Sequence, residues 1–280
     1  MILVTGATGH VGGALARHLH QRGEKVRVLV RDPQKAAALP DDIERMVGDL
    51  GDPGTLTEAF EGVDKAFLMA VGPNTEHVVN AAAAAADAEV SHVAVLSSIG
   101  AASPELLIGK WHADREQAVL DAGLPYTFLR PGGFASNALQ WAPSIRTEGT
   151  VYDPYGPVPQ AVIDPVDVAA VAAVSLTEDG HTGRTYVLTG DELTTGAERT
   201  EILSRVLGRP LEHVEQTPEQ GEQAALDAGA PPALAGALRT MYQQMRTAPA
   251  AVVTDDVHRV TGRAPARFEE WCRRNAAAFR

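Results

Sequence analysis

One cysteine stands in 280 residues, Cys272, so no internal disulfide can form and no thiolate-rich metal site can be assembled. A reducing compartment suits such a chain. Lysine is nearly as scarce: Lys25, Lys35, Lys65 and Lys110 are all there are. Arginine does not restore the balance, since 24 basic residues face 36 acidic ones for a net charge of −12. That excess argues against nucleic acid as a partner, because backbone binding needs clustered cations. No apolar run approaches the roughly 20 residues of a membrane span. Met1 leads directly into Ile2–Thr5, without the basic, apolar and small-residue order of a secretory leader. The nine histidines include no His-x-x-x-His or similar spacing, so no metal is expected. What remains is a globular protein, 45% hydrophobic and 21% charged, expected in the cytoplasm as a monomer or homodimer with a small-molecule substrate.

Aliphatic runs alternate with helical patterns through the first half: Ile2–Thr5, Val26–Val30, Ile43–Val47, Ala66–Ala70, His92–Ser97 and Tyr126–Leu129. Val11, Leu15 and Leu19 fall at helical spacing, and Gly23 sits where a helix would end. Asp52-Pro53 reads as an N-cap and first helical residue, and Asn74–Ala88 contains six consecutive alanines. Such alternation predicts an α/β protein, a parallel sheet covered by helices on both faces. After Pro131 the regularity fades. Ala161–Ile163 and Thr185–Leu188 look like strands flanking a helix opened by Asp164-Pro165, and Ala264–Arg280 looks like a closing helix. Residues 1–135 are expected to form a nucleotide-binding core. Residues 136–280 are expected to close a substrate cleft, with 161–190 returning to the core; no polar linker separates the two.

The strongest motif is Gly6-Ala7-Thr8-Gly9-His10-Val11-Gly12, directly after the first strand and opening a helix. Glycine at 6 permits a tight turn, at 9 lets backbone N–H groups approach a diphosphate, and at 12 lets the helix pack closely. Strand two ends at Val30, so Arg31 stands where an adenosine ribose is commonly contacted. Its guanidinium suits a 2′-phosphate, and Lys35 adds a second cation, which points to NADP(H). Asp32 points the other way, towards NAD, and a solvated Arg31 is the plain alternative. Asp49 and Leu50 end strand three, where Leu50 would pack on adenine while Asp49 either reaches the base or caps a turn. Ala70, Val71 and Gly72 would pass beside the cofactor, leaving room for a ribose.

These residues resemble the atypical short-chain dehydrogenase/reductases of the NmrA-like group, which includes bacterial NAD(P)H:quinone oxidoreductases and azoreductase-like proteins. The resemblance rests on Thr5–Gly12, Arg31-Asp32-Pro33-Gln34-Lys35, Gly48-Asp49-Leu50, Ser97-Ser98, His112-x-x-x-Glu116 and Leu124–Phe134 with Asn137. It continues patchily through Ile163–Ala169 and Phe268-x-x-Trp271, while 216–253 matches nothing of use. It implies a Rossmann-type doubly wound sheet binding NADP(H), with a small, mostly helical C-terminal substrate region. It also implies reduction of a quinone, enone or carbonyl compound, or else non-catalytic sensing of the NADP(H) ratio.

Most short-chain dehydrogenases use Tyr-x-x-x-Lys, and this chain has none: Gln21, Arg31, Glu61 and Leu106 stand four before its lysines. That excludes the sugar-nucleotide epimerase reading. His112 is the candidate proton donor, with Glu116 one turn on to orient it or raise its pKa. A surface helix-stabilising pair is the alternative. Ser97 and Ser98 end strand five, where a hydroxyl can meet nicotinamide or a substrate carbonyl, although serine is also common at strand ends, and Lys110 either reaches a ribose hydroxyl or extends into water. Pro131, Gly132, Gly133 and Phe134 shape the nicotinamide pocket, with Phe134 and Asn137 towards the substrate.

Overall fold

Strands covered on both faces read as unbroken aliphatic runs, and β1 (Ile2–Thr5) is buried at every residue. In the computed structural model, which describes residues 1–70, 74–247 and 251–280, helix and strand then alternate. The elements are α1 (His10–Gln21), β2 (Val26–Val30), β3 (Glu44–Val47), α2 (Pro53–Phe60), β4 (Lys65–Leu68), α3 (Glu76–Asp87), β5 (His92–Leu96), α4 (Leu107–Asp121) and β6 (Tyr126–Pro131). The chain continues through a 3-10 segment at Ala135–Trp141, α5 (Ala142–Glu148), β7 (Thr150–Asp153), α6 (Pro165–Thr177), β8 (Arg184–Leu188) and α7 (Gly196–Leu207). It ends with β9 (Glu212–Glu215), α8 (Pro218–Asp227), α9 (Pro232–Thr247), α10 (Asp256–Thr261), α11 (Phe268–Asn275) and a 3-10 turn at Ala276–Phe279.

Seven strands pair in the order β3-β2-β1-β4-β5-β6-β8, all parallel. The order reverses between β1 and β4, the switch point at whose carboxyl ends such sheets hold ligands. Asp52 caps α2 through its side chain, accepting from the Gly54 N–H at 3.0 Å, with Pro53 as first helical residue. Gly23 follows α1 with φ +82. One core cluster packs Leu3, Leu56, Phe60, Leu68, Val93 and Phe128.

The described chain divides into two compact units. The first is Met1–Pro131, Pro165–Leu188 and Asp256–Arg263, and the second is Gly132–Asp164, Thr189–Asp255 and Ala264–Arg280. The second unit has its own core of Trp141, Ile145, Leu203, Phe268, Trp271 and Phe279. It also contains a two-stranded parallel sheet of β7 and β9, each only four residues long. Ala161–Ile163 is not a sheet strand as its aliphatic run suggests. Ile163 forms only an isolated bridge with Phe134, because Ala161 and Ile163 pair with loop backbone at Gly190, Gly133 and Ala135. The closing helix is likewise shorter than 264–280 and starts at Phe268.

Candidate functional site

In the first unit the carboxyl ends of β1 to β4 surround a cavity of about 300 Å³, within the usual range for small-molecule sites. Gly6, Thr8 and Gly9 form one wall, Arg31, Asp49 and Leu50 another, and Ala70 a third. Val71 and Gly72 lie outside the described residues. Gly6 takes φ +65, a conformation that favours glycine, and a Cβ at Gly12 would lie 2.4 Å from the Gly6 carbonyl. Those two glycines are demanded by the fold itself. Gly9 is different: its φ of −93 and ψ of 176 suit any residue, and an added Cβ would lie 3.3 Å from the Gly6 oxygen, a close contact that a shift of a few tenths of an ångström relieves. Glycine at 9 therefore keeps space open in the cavity wall. Helix α1 begins there with no side-chain cap and no acid in its first turn, so its N-terminal dipole is left for an anion. Val11 is buried and Gly12 has no side chain, so these positions, with His10 at the helix start, can offer a ligand main-chain N–H groups. This donor set fits the diphosphate of a dinucleotide.

Arg31 is 83% exposed as a side chain, and its Nε lies 4.0 Å from Asp49 Oδ2. Asp32, the residue that argued for NAD, turns back on its own chain and accepts from the Gln34 N–H at 2.9 Å, capping a 3-10 turn at Pro33–Ala36. Its capping bond ties the carboxylate to its own turn, and Arg31 is the cation left in the wall. Asp49 accepts from the Gly51 N–H at 2.8 Å, so it caps a turn as well as lining the cavity. Lys35 sits in the 3-10 turn, exposed and outside the cavity wall. Met69 and His77 do line the cavity. Neither carries a sequence signal, since Met69 reads as strand end and His77 as the first turn of α3.

At the ends of β5 and β6 Glu116 acts on the His112 pKa through its charge, while its hydrogen bonds go to other partners. Glu116 is buried and receives a bidentate pair from Arg130, Nε at 2.9 Å and Nη2 at 2.6 Å, and Ser97 Oγ donates to its Oε1. Arg130 projects from β6 towards α4, a partner that same-helix spacing cannot reveal. The carboxylate raises the Arg130 pKa further, mainly through these hydrogen bonds. Ser97 spends its one proton on Glu116 and keeps only lone pairs for a ligand, so it cannot donate to a carbonyl. Ser98 accepts from the Gly100 N–H at 3.1 Å and retains its proton. Nδ1 of His112 is buried without a hydrogen-bond partner among the described residues. Burial, helped by Arg115 and opposed by Glu116, pulls its pKa down to about 4, so the imidazole is neutral near neutral pH. Lys110 Nζ is held by Asp114 at 2.7 and 2.8 Å, a pairing within α4.

Pro131 closes β6 in the first unit. In the second unit Gly133, Phe134 and Asn137 border a small pocket that also takes in Trp141, Gln160 and Arg199; Gly132 is outside its lining. No group of three or more His, Cys, Asp or Glu poised for a metal occurs among the described residues, and no described helix is long and apolar enough to cross a membrane.

Comparison with known proteins identifies the family. Residues 6–179 match the family described as NAD(P)H-binding. The chain is 42% identical over 281 residues to the (4-alkanoyl-5-oxo-2,5-dihydrofuran-3-yl)methyl phosphate reductase of Streptomyces griseus, covering 100% of this chain and 99% of that one. It is 39% identical to the NAD(P)H azoreductase of Xenophilus azovorans, with 100% and 99% covered. Among solved structures, the NADPH-dependent quinone oxidoreductase of Escherichia coli complexed with NADPH superposes with a TM-score of 0.86 at 27% identity, covering 99% of this chain and 100% of that one.

Proposed function

Because the chain belongs to the NAD(P)H-binding family, as an atypical short-chain dehydrogenase-like reductase, we propose that it is an NADPH-preferring enzyme delivering hydride to a small quinone, enone or related carbonyl compound. That it is an NAD(P)H-dependent oxidoreductase follows from its relatives; the cofactor preference and the acceptor are our reading. One observation carries the preference: Arg31 stands in the wall of the cavity that Gly6 to Gly9 opens, while Asp32 is engaged by its own turn.

Gly6, Thr8, Gly9 and the start of α1 through His10, Val11 and Gly12 would hold the diphosphate. Arg31 would hold the 2′-phosphate with Lys35 as a more distant cation, and Leu50 and Asp49 would border the adenine. Bound NADPH supplies the hydride and both electrons; the chain supplies position and the surrounding field. Glu116, clamped by Arg130, fixes Ser97 and acts as a positioning residue. His112 contributes a neutral imidazole, able to donate an N–H hydrogen bond but not charged at neutral pH. A quinone acceptor suits this arrangement, because its reduced anion takes its proton from water. The single thiol, Cys272, is buried with its pKa pushed up to about 12. It is inert, and we place the protein in the cytoplasm.

The test is NADPH consumption with a panel of naphthoquinones and enones. Turnover with some acceptors, and faster turnover with NADPH than with NADH, is expected. NADPH binding without consumption across the panel would replace this reading with cofactor sensing.

A further inference from the structure

The pocket of the second unit has a wall of unusual charge for a chain with a net charge of −12: none of its lining residues is Asp or Glu. Three of them carry buried N–H groups. Trp141 is 5% exposed and Gln160 8%, and Nε1 of the indole and Nε2 of the amide have no hydrogen-bond partner among the described residues. Arg199 is 3% exposed. A capping box at Thr195 starts α7 and sets Arg199 one turn in, where Nη1 donates to the Thr194 carbonyl at 3.0 Å. Among the described residues that is the one hydrogen bond of its guanidinium, which forms no ion pair there.

The nearby acids are occupied elsewhere. Asp153 is fully buried, accepts from the Tyr155 N–H at 3.0 Å and lies 3.4 Å from His213. It also packs so closely on the start of α7 that a Cβ on Gly196 would overlap its carboxylate. Glu198 closes the capping box. Burial pulls the Arg199 pKa down, and Asp153, Tyr155 and Glu198 only partly oppose that. Leaving the two buried N–H groups of Trp141 and Gln160 without acceptors costs about 1–3 kcal/mol each, and Arg199 beside them has a single carbonyl, that of Thr194, for its buried charge. An acceptor-only ligand group would answer all three.

We infer that this pocket is an oxyanion subsite that receives a carboxylate or phosphate group of the substrate, anchored by Arg199 with the Trp141 indole and the Gln160 amide as further donors. The water-sized room in the pocket, about 20 Å³, holds one water or one ligand oxygen, so the anion enters oxygen first from the open side. This assignment rests on the reductase reading for the word substrate, and on the second unit alone for the site.

Two readouts separate the two claims. In the ¹⁵N-labelled full chain, the Trp141 indole N–H signal, assigned with Trp141→Phe, is followed on titration with inorganic phosphate, with β-acetylacrylate and with the methyl ester of β-acetylacrylate. A saturable shift with either anion, absent with the ester, is expected. Stronger binding of phosphate would assign a phosphorylated substrate, and stronger binding of the acid a carboxylate. Arg199→Met should weaken the anion by about tenfold or more. If that variant does not fold, Gln160→Leu should weaken it several-fold. In parallel, kcat/KM with NADPH is measured for the acid and the ester, and the acid-to-ester ratio should fall about tenfold in Arg199→Met. An unmoved indole signal, an equal shift with the ester, or unchanged anion affinity in a folded variant would overturn the subsite and leave a water-filled structural pocket. Saturable binding of the anion without turnover of either compound or of any quinone in the panel would instead keep the subsite and refute the reductase reading.

Discussion

The two cavities are built from opposite materials. That of the first unit takes one side of its wall from main chain and small residues, Gly6, Thr8, Gly9 and Ala70, beside larger ones such as Leu50 and Met69, with Arg31 as its one Arg or Lys. That of the second unit is walled by large side chains brought from separate stretches, Trp141, Gln160, Arg199 and Phe268. A site made of backbone N–H groups needs glycines at fixed intervals, so it leaves a spacing in the sequence. A site made of side chains leaves no spacing, because the tertiary fold alone decides which of them meet.

The sharpest way to break this comparison is at Gly9, where glycine serves space and not conformation. Gly9→Val should keep its fold and lose affinity for NADPH and NADH alike, by roughly a thousandfold or more, because a branched side chain occupies the diphosphate's approach. Gly12→Ala should instead lower thermal stability, since its Cβ collides with the Gly6 carbonyl. Cofactor titration and melting of both variants distinguish ligand space from packing space. Normal cofactor binding by Gly9→Val would remove the main-chain site.

Next in size is the buried cluster at the ends of β5 and β6. Arg130→Met leaves Glu116 buried with only Ser97 and should cost about 3 kcal/mol in urea unfolding. Arg130→Lys should recover part of that loss. An unchanged midpoint would mean that Glu116 finds solvent when Arg130 is gone.

Arg31 is the side-chain exception in the main-chain site. Arg31→Ala should weaken NADPH by about tenfold and leave NADH within about twofold, the low end for a charge-assisted bond because the residue is so exposed. Isothermal titration of both cofactors checks it, and a retained NADPH preference would transfer the role to Lys35.

The smallest effect is a pH dependence. His92 and His112 are both held near a pKa of about 4, chiefly by burial, whereas the unfolded chain protonates its histidines near ~6.5. Between those values the unfolded state binds more protons. Stability from this source is therefore complete above about pH 6.5 and falls as pH drops towards about 4. Burial also lowers the pKa of His18 and His181, so His112→Gln should flatten that slope by less than half, read from urea midpoints across the window.

The parallel sheet was legible because its aliphatic runs and the Asp52-Pro53 cap are local signals. Gly6, Gly9, Arg31, Asp49, Leu50 and Ala70, named from position along the strands, all line the first cavity. Met69 and His77 went unnamed because they enter it through tertiary placement. Lys35 and Lys110 were named on charge alone, but one is outside the cavity wall and the other is paired with Asp114. Helical arithmetic matched Glu116 with His112, four residues away, whereas its partners are Arg130, across on β6, and Ser97 at the end of β5. The β7–β9 pair was invisible because each strand is only four residues long, and the partners Thr150 and Glu212 are 62 positions apart. Trp141, Gln160 and Arg199 lie within one pocket only once the second unit has folded.

Isotope transfer follows hydride from NADPH bound at this loop to a polarised acceptor. NADPH carrying deuterium at its hydride-donating carbon is incubated with the protein and the methyl ester of β-acetylacrylate, and the product is read by mass spectrometry. One deuterium on carbon in the saturated product is predicted, with none transferred by Gly9→Val. A product that gains no deuterium, or transfer that persists in Gly9→Val, would contradict the account.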